Sequence, residues 1–196
     1  QRIANGTLPA SNYAAEAKFL ALEDRYQTFL VMKMAGKLKD FIKKLNAKAK
    51  FLKDLDASYD EVTRYLSAEW VLAARYRQGL LYNQFGDELA LAPCPTGLGP
   101  EACEEFSTQM RKRADKFEDD AIGFYTKVID TANKFGVKSR WVKLAMETRA
   151  KGRPTEFRVV KDEKVMLETE LGADVGLEVS TKGPREGSGA KRPKEK

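Results

Sequence analysis

The stretch YDEVTRYLSAEWVLAARYRQGLLYNQFGDELALAPCP, residues 59–95, decides the fold. It is strongly helical, ends at a Pro-x-Pro loop, and places Ala74 and Gly79 among large aromatic residues. Small residues let a neighbouring helix approach closely, while aromatic side chains supply area to bury. The aromatic residues are Trp70, Tyr76, Tyr82 and Phe85. The pattern predicts a helix from Ala68, capped by Ser67, to about Leu91 that packs on other helices.

Helical periodicity continues toward the N-terminus. One amphipathic helix is predicted from Asn12 to about Met34, and a longer one from Lys37 to Leu66. A capping box of Ser58 and Glu61 would instead restart the second helix. The unbroken apolar stripe favours one continuous helix.

Three further signals define the C-terminal half. A long helix is predicted from Glu101 through about Phe135, where the following Gly136 is a typical C-terminal stop. Ser139 is expected to cap a short helix that Gly152 and Pro154 end. The chain thus divides into a lead-in at 1–11, an all-α domain at 12–155, an extended segment at 156–180 and a disordered basic tail at 181–196. The first residues lack Met and an apolar signal core, which indicates a processed or excised fragment.

The composition argues against an enzyme. The 196 residues are 33% charged, with a mean hydropathy of −0.52 and no run near the roughly 18 apolar residues that a membrane span needs. Histidine, the commonest general base and metal ligand, is absent from the sequence. Adjacent carboxylates such as Asp119 and Asp120 point in different directions on a helix. We expect no catalytic, cofactor-binding or metal site and no small-molecule substrate.

The two cysteines, Cys94 and Cys103, flank a loop rich in proline and glycine. Two thiols are too few for a zinc site, and their spacing is not that of a C-x-x-C redox motif. A disulfide would close this loop in an oxidising compartment. Two unpaired thiols in a cytosolic loop are the alternative.

Eight lysines lie between Lys33 and Lys53, against only Asp40 and Asp54. No aromatic residue is clearly placed on the lysine face to stack a base, so we interpret the run as a solvated helix face. The tail carries most of the net charge of +6. The alternative function is a basic helical module that binds nucleic acid or an anionic surface, and steep salt dependence would indicate it.

The order of small and aromatic residues resembles that of tetratricopeptide repeats. Each unit of that family is a helix hairpin, with a small residue and an aromatic in the first helix and an Ala and an aromatic in the second. Gly79 and Tyr82 match the first helix, and Ala121 and Tyr125 match the second. Further residues expected to pack between helices are Trp70, Ala74, Trp141 and Ala145.

Longer segments resemble the C-terminal part of tetratricopeptide-type envelope proteins of delta-proteobacteria, which include periplasmic components of the myxobacterial gliding-motility machinery. These segments are EW, AARYRQGLLYNQF, APCP, AIGFYTKVIDTA and GVKSRW, and the resemblance covers roughly residues 12 to 157. It implies antiparallel long-helix hairpins stacked as a solenoid, and a periplasmic location. An insertion at about residues 86–117 departs from the standard repeat.

The function expected from these patterns is a non-catalytic scaffold that binds a protein partner in an envelope complex. The candidate contact residues are Arg75, Gln78, Asn83 and Arg140. The alternative for each is an ordinary solvated side chain. The extended segment at 157–179 is a candidate strand for a partner's sheet edge. Stacking on a second copy of the chain stays open.

Overall fold

The computed structural model describes residues 12–157, and this range forms six α-helices without a β-strand. The helices are α1 (Asn12–Leu20), α2 (Glu23–Val31), α3 (Leu38–Thr63), α4 (Ala68–Ala90), α5 (Pro100–Phe135) and α6 (Arg140–Gly152). The predicted all-α class is confirmed for these residues. The predicted lead-in, the extended segment from residue 158 onward and the basic tail lie outside the described range.

The first predicted helix is two helices, which corrects the sequence prediction. The chain turns at Ala21 and Leu22, where the amide of Leu22 donates to the carbonyl of Phe19 over 3.1 Å. This hydrogen bond spans three residues instead of four and tightens the turn. The turn buries Leu22, and α2 starts anew with two acidic residues, Glu23 and Asp24, which suit a helix N-terminus.

Helix α3 runs unbroken past Ser58, which confirms the predicted continuous helix over the alternative of a restart there. The Ser58 hydroxyl donates to the carbonyl of Asp54 within the same helix and accepts from Arg25, both over 2.8 Å. The helix ends before Leu66, whose φ of 57° is left-handed. Its apolar stripe faces α1, α2 and α4.

Ser67 occupies the predicted N-cap position of α4, but its hydroxyl does not cap the helix. It donates instead to Oδ1 of Asn12 over 2.6 Å, which links the starts of α1 and α4. At the other end of the domain the local signals act as predicted. Gly136 has a φ of 62° after α5, and the Ser139 hydroxyl accepts from the amide of Trp141 in α6.

Helix α4 is the centre of the domain, since it contacts α1, α3, α5 and α6. Its contact with α5 is the most extensive. The ring centroids of Tyr76 on α4 and Tyr125 on α5 are 5.8 Å apart. Phe85 comes later in α4 and Phe117 earlier in α5, and their ring centroids are 4.8 Å apart. Later positions on α4 therefore meet earlier positions on α5.

The loop between α4 and α5 also contacts the start of α3. The Thr96 amide donates to the carbonyl of Gly36 over 3.0 Å. Nearby, Phe41 of α3 packs edge-on against Phe106 of α5, with ring centroids 5.0 Å apart. Within residues 12–157 the structure has no helix with the length and apolar character to cross a membrane.

Candidate interaction surface

Close packing of α4 on α5 depends on Gly79. A Cβ atom built at this position would lie only 2.4 Å from Cε1 of the buried Tyr125 ring. The residues that the sequence assigned to helix packing all lie in the core or against it. Six are buried and two, Trp70 and Tyr82, are partly buried; the buried ones are Ala74, Gly79, Ala121, Tyr125, Trp141 and Ala145.

Trp141 of α6 packs against aromatic residues of α4 and α1. Its ring lies 5.7 Å from Tyr76 on α4 and 6.0 Å from Phe19 on α1. Phe19 also stacks near Trp70, at 5.3 Å. Both tryptophans therefore pack within or against the aromatic core.

Gln78, expected to contact a partner, is instead completely buried. Its side-chain amide donates to Oδ1 of Asp56 over 2.7 Å and to Oδ1 of Asp60 over 3.0 Å. Burial of an amide is tolerated because its hydrogen bonds are satisfied within the chain. Gln78 is therefore a structural residue, which corrects the sequence prediction.

Arg75 lies beside Gln78 and stays partly exposed. Its guanidinium bonds Oδ1 of Asp60 over 2.7 Å and donates to Oε1 of Gln78 over 2.9 Å. Arg75 and Asp60 therefore form the accessible edge of a network whose inner members are Gln78 and Asp56.

Tyr82 connects this network to α5. Its hydroxyl donates to Oδ2 of Asp56 over 3.2 Å, and its ring lies 5.2 Å from Phe124. Burial raises the pKa of Asp56, against the hydrogen bond from Gln78, which lowers it. Burial and the Asp56 carboxylate raise the pKa of Tyr82, so the phenol stays protonated and keeps donating.

Asn83 and Arg140 have different surroundings. Asn83 is half-buried one position after Tyr82, and its amide donates to Oδ2 of Asp87 over 2.8 Å. Arg140 is exposed on α6, 4.5 Å from the Trp141 ring, and no described contact joins it to the other three candidates. We define the α4 polar face as Asp60, Arg75, Tyr82 and Phe124, which are linked by ring contacts and hydrogen bonds, together with Asn83, the next residue of α4 after Tyr82.

The sequence missed a buried ion pair. Lys48, interpreted as part of a solvated face, has no exposed surface, and its ammonium bonds both oxygens of Glu88 over 2.7 and 2.6 Å and the carbonyl of Met32 over 2.8 Å. The same ammonium lies 4.6 Å from the Phe29 ring centroid. A signal exists in the sequence, because Lys48 stands seven residues after Phe41 and four before Leu52, on the apolar stripe.

Cys94 and Cys103 are bonded as a disulfide, with Cα atoms 5.5 Å apart. The bond joins the loop after α4 to the first turn of α5. The loop between the cysteines carries Thr96, which bonds Gly36 before α3. The disulfide therefore closes the loop between α4 and α5. The hydrogen bond of Thr96 attaches the same loop to Gly36, just before α3.

Several carboxylates of residues 12–157 pair with neighbouring cations. No set of three or more His, Cys, Asp or Glu in this range is placed to hold a metal ion. Arg153, for example, bonds Asp119 and lies 3.5 Å from Glu118. The α4 polar face is accordingly a surface of hydrogen-bonding and aromatic groups.

Comparison with protein-family models, with curated proteins and with solved structures finds no match to this chain. The packing and the surface chemistry described above are therefore the basis for a functional proposal.

Proposed function

We propose that this protein is a non-catalytic helical-repeat scaffold that binds another protein in a cell-envelope complex. In this proposal its helices form antiparallel hairpins stacked as a tetratricopeptide-like solenoid. The first unit comprises α1 to α3, the second α4 and α5, and α6 opens a third.

The observation that supports the proposal is the set of helix pairs that pack together. Helix α4 contacts its own partner α5 and also α1 and α3 of the preceding unit, while α6 contacts α4 and α5. In a solenoid each unit buries its apolar face mainly against its neighbours in sequence. The reversed contact order along α4 and α5, in which Phe85 meets Phe117 and Tyr76 meets Tyr125, is what a hairpin requires.

The α4 polar face is the proposed contact surface. Tyr82 and Phe124 offer a half-buried aromatic pair, and tyrosine is enriched among the residues that dominate binding energy. Asp60 and Arg75 are linked to this pair through the hydrogen bonds of Gln78 and Asp56, and Asn83 follows Tyr82 on α4. These three residues are the proposed polar rim. This arrangement fits a protein segment that places an apolar side chain on the rings and polar groups at the rim.

A periplasmic location accompanies this proposal, because disulfides such as Cys94–Cys103 persist in oxidising compartments. A place in a gliding-motility complex is the finer form of the proposal. Its support is the sequence resemblance alone.

Site-specific photocrosslinking in the native cells tests the proposal. A photoreactive amino acid at position 83 should yield a defined adduct with one protein, and the same group at the exposed Gln109 on α5 should not. The partner identified in this way is then purified and its affinity for the full chain is measured.

Two variants then separate a specific surface from general disruption. Asn83→Arg should weaken binding of the purified partner at least tenfold by placing charge and bulk beside Tyr82. Gln109→Arg makes the same chemical change on an exposed site and should leave affinity unchanged. Equal effects of the two variants, or adducts formed equally at both positions, would contradict the assignment.

A further inference from the structure

The outward face of α3 carries lysines with exposed aliphatic side chains among them. At 3.6 residues per turn, the four lysines of this helix surface, Lys39, Lys43, Lys50 and Lys53, fall on the side opposite the buried stripe of Phe41, Leu52 and Leu55. Leu38 and Ile42 lie at the edge between that side and the stripe. Leu38 is 41% exposed and Ile42 is 47% exposed. We define the α3 lysine face as Leu38, Lys39, Ile42, Lys43, Lys50 and Lys53, all of them exposed.

The four lysines of this face have no partner among the described residues. No ion pair or side-chain hydrogen bond within residues 12–157 involves Lys39, Lys43, Lys50 or Lys53. Some cations elsewhere in the domain are paired, as in Lys18 with Glu61 and Arg77 with Glu23. The positive charge of α3 is therefore available to an anion outside the domain.

We propose that the α3 lysine face docks on the surface of an anionic lipid bilayer. A helix that lies in a membrane interface combines basic side chains, which attract anionic headgroups, with aliphatic side chains, which enter the headgroup boundary. Leu38 and Ile42 lie one turn apart beside Lys39 and Lys43, so the face presents both kinds of group together. None of its six residues belongs to the α4 polar face, to which α3 contributes Asp60.

The same residues disfavour nucleic acid as the ligand. Sequence-tolerant binding of single strands uses exposed aromatic rings on which bases stack. The aromatic residues of α3 are directed elsewhere: Phe41 and Tyr59 are buried, and Phe51 is half-buried with Arg25 placed 5.6 Å from its ring centroid. Exposed aliphatic side chains serve lipid contact better than base contact.

Vesicle co-sedimentation of the full chain tests the proposal. The probes are vesicles of phosphatidylcholine alone and vesicles that also contain phosphatidylglycerol, each at low and high salt. Binding is expected only to the anionic vesicles, and added salt should weaken it. Each lysine near an anionic leaflet strengthens binding about fivefold, so removing four should reduce it at least tenfold.

Two matched quadruple variants assign the binding to this face. The test variant changes Lys39, Lys43, Lys50 and Lys53 to Gln, which removes charge while keeping good helix formers. The control variant makes the same change at four exposed lysines of α5 and α6, namely Lys112, Lys116, Lys143 and Lys151. Circular dichroism establishes that both variants are folded. A third variant, Ile42→Ser, should lower binding without changing the charge.

The outcomes are distinct. Loss of binding in the test variant but not in the control supports docking through α3. Equal loss in both variants, unchanged binding in the test variant, or equal binding to neutral vesicles overturns the proposal. Tighter binding of the chain to a single-stranded oligonucleotide than to the phosphatidylglycerol vesicles, lost in the test variant but not in the control, would instead assign the face to nucleic acid.

Discussion

Gly79 of α4 lies so close to Tyr125 of α5 that a methyl group at position 79 would overlap the tyrosine ring, at 2.4 Å from Cε1. The ring is fully buried and cannot move into solvent. The distance between the two central helices is therefore set by the absence of a side chain at Gly79, and this relationship can be tested directly.

Gly79→Ala should destabilise the domain by about 1–3 kcal/mol, since overpacking costs more than the helix propensity that alanine adds. Urea unfolding followed by circular dichroism measures the change in free energy. The control is Gly123→Ala on α5, where a new Cβ would meet no atom within 4 Å. That variant should gain about 0.5–1 kcal/mol. A loss in both variants would mean that the close approach is not the cause.

Leu66→Gly should stabilise the domain. Leu66 is 61% exposed, and its φ of 57° costs a side-chain-bearing residue roughly 1–2 kcal/mol, more than the entropy that glycine loses on folding. We expect a net gain of about 0.5–1 kcal/mol in urea unfolding. Leu91 is also exposed but has a φ of −100°, so Leu91→Gly should destabilise; gains in both would contradict the strain argument.

The Lys48–Glu88 pair should respond asymmetrically to substitution. Glu88→Ala leaves a fully buried ammonium without its counter-ion and should cost about 3–5 kcal/mol. Lys48→Met leaves a carboxylate whose side chain is 20% exposed and can be hydrated, so the cost should be smaller. A double-mutant cycle in urea measures the coupling. Equal costs for the two single variants would contradict this account of the burial.

Reduction of Cys94–Cys103 should lower stability by about 2–3 kcal/mol in the chain-entropy account of a short closed loop. The amide of Thr96, bonded to Gly36, should then exchange faster with solvent. Mass spectrometry of thiols in protein from its native source, with and without reductant, measures the occupancy of the bond. Two free thiols there would remove the residue-level support for a periplasmic location.

The raised pKa of Asp56 predicts that the domain becomes less stable as the pH rises. Burial raises this pKa above its usual value of 3.8, so the folded state holds the proton more tightly than the unfolded state does. Asp56 makes its full contribution to stability below its usual pKa, and this contribution is lost as the pH rises through the raised pKa. Asp56→Asn should therefore flatten the decline of the thermal midpoint above about pH 4. A steeper decline in the variant would contradict the sign.

The helix limits at Gly136 and Ser139 were predictable because local chemistry marks them. Gly136 and Ser139 act through their own backbone and side-chain groups, so their roles follow from the sequence. The break at Ala21 and Leu22 was not predictable, because both residues are good helix formers. Tertiary burial of Leu22 overrides that propensity.

The exposure of the candidate contact residues was predictable only in part. Arg75 and Asn83 lie on the α4 polar face, while Gln78 is buried by Asp56 and Asp60, which are 22 and 18 positions away. A local sequence pattern does not identify partners that lie so far apart in the sequence. Lys48 shows the same limit, since its counter-ion Glu88 is 40 positions away.

Helix α4 contacts four other helices, and the contacts with α1 and α6 join parts of the chain that are far apart in sequence. Fragments cut at the linkers before or after α4 would expose Phe19 and Trp141, which it covers. The domain is therefore poorly suited to dissection into autonomous pieces. Engineering of this domain should therefore keep α1 through α6 together.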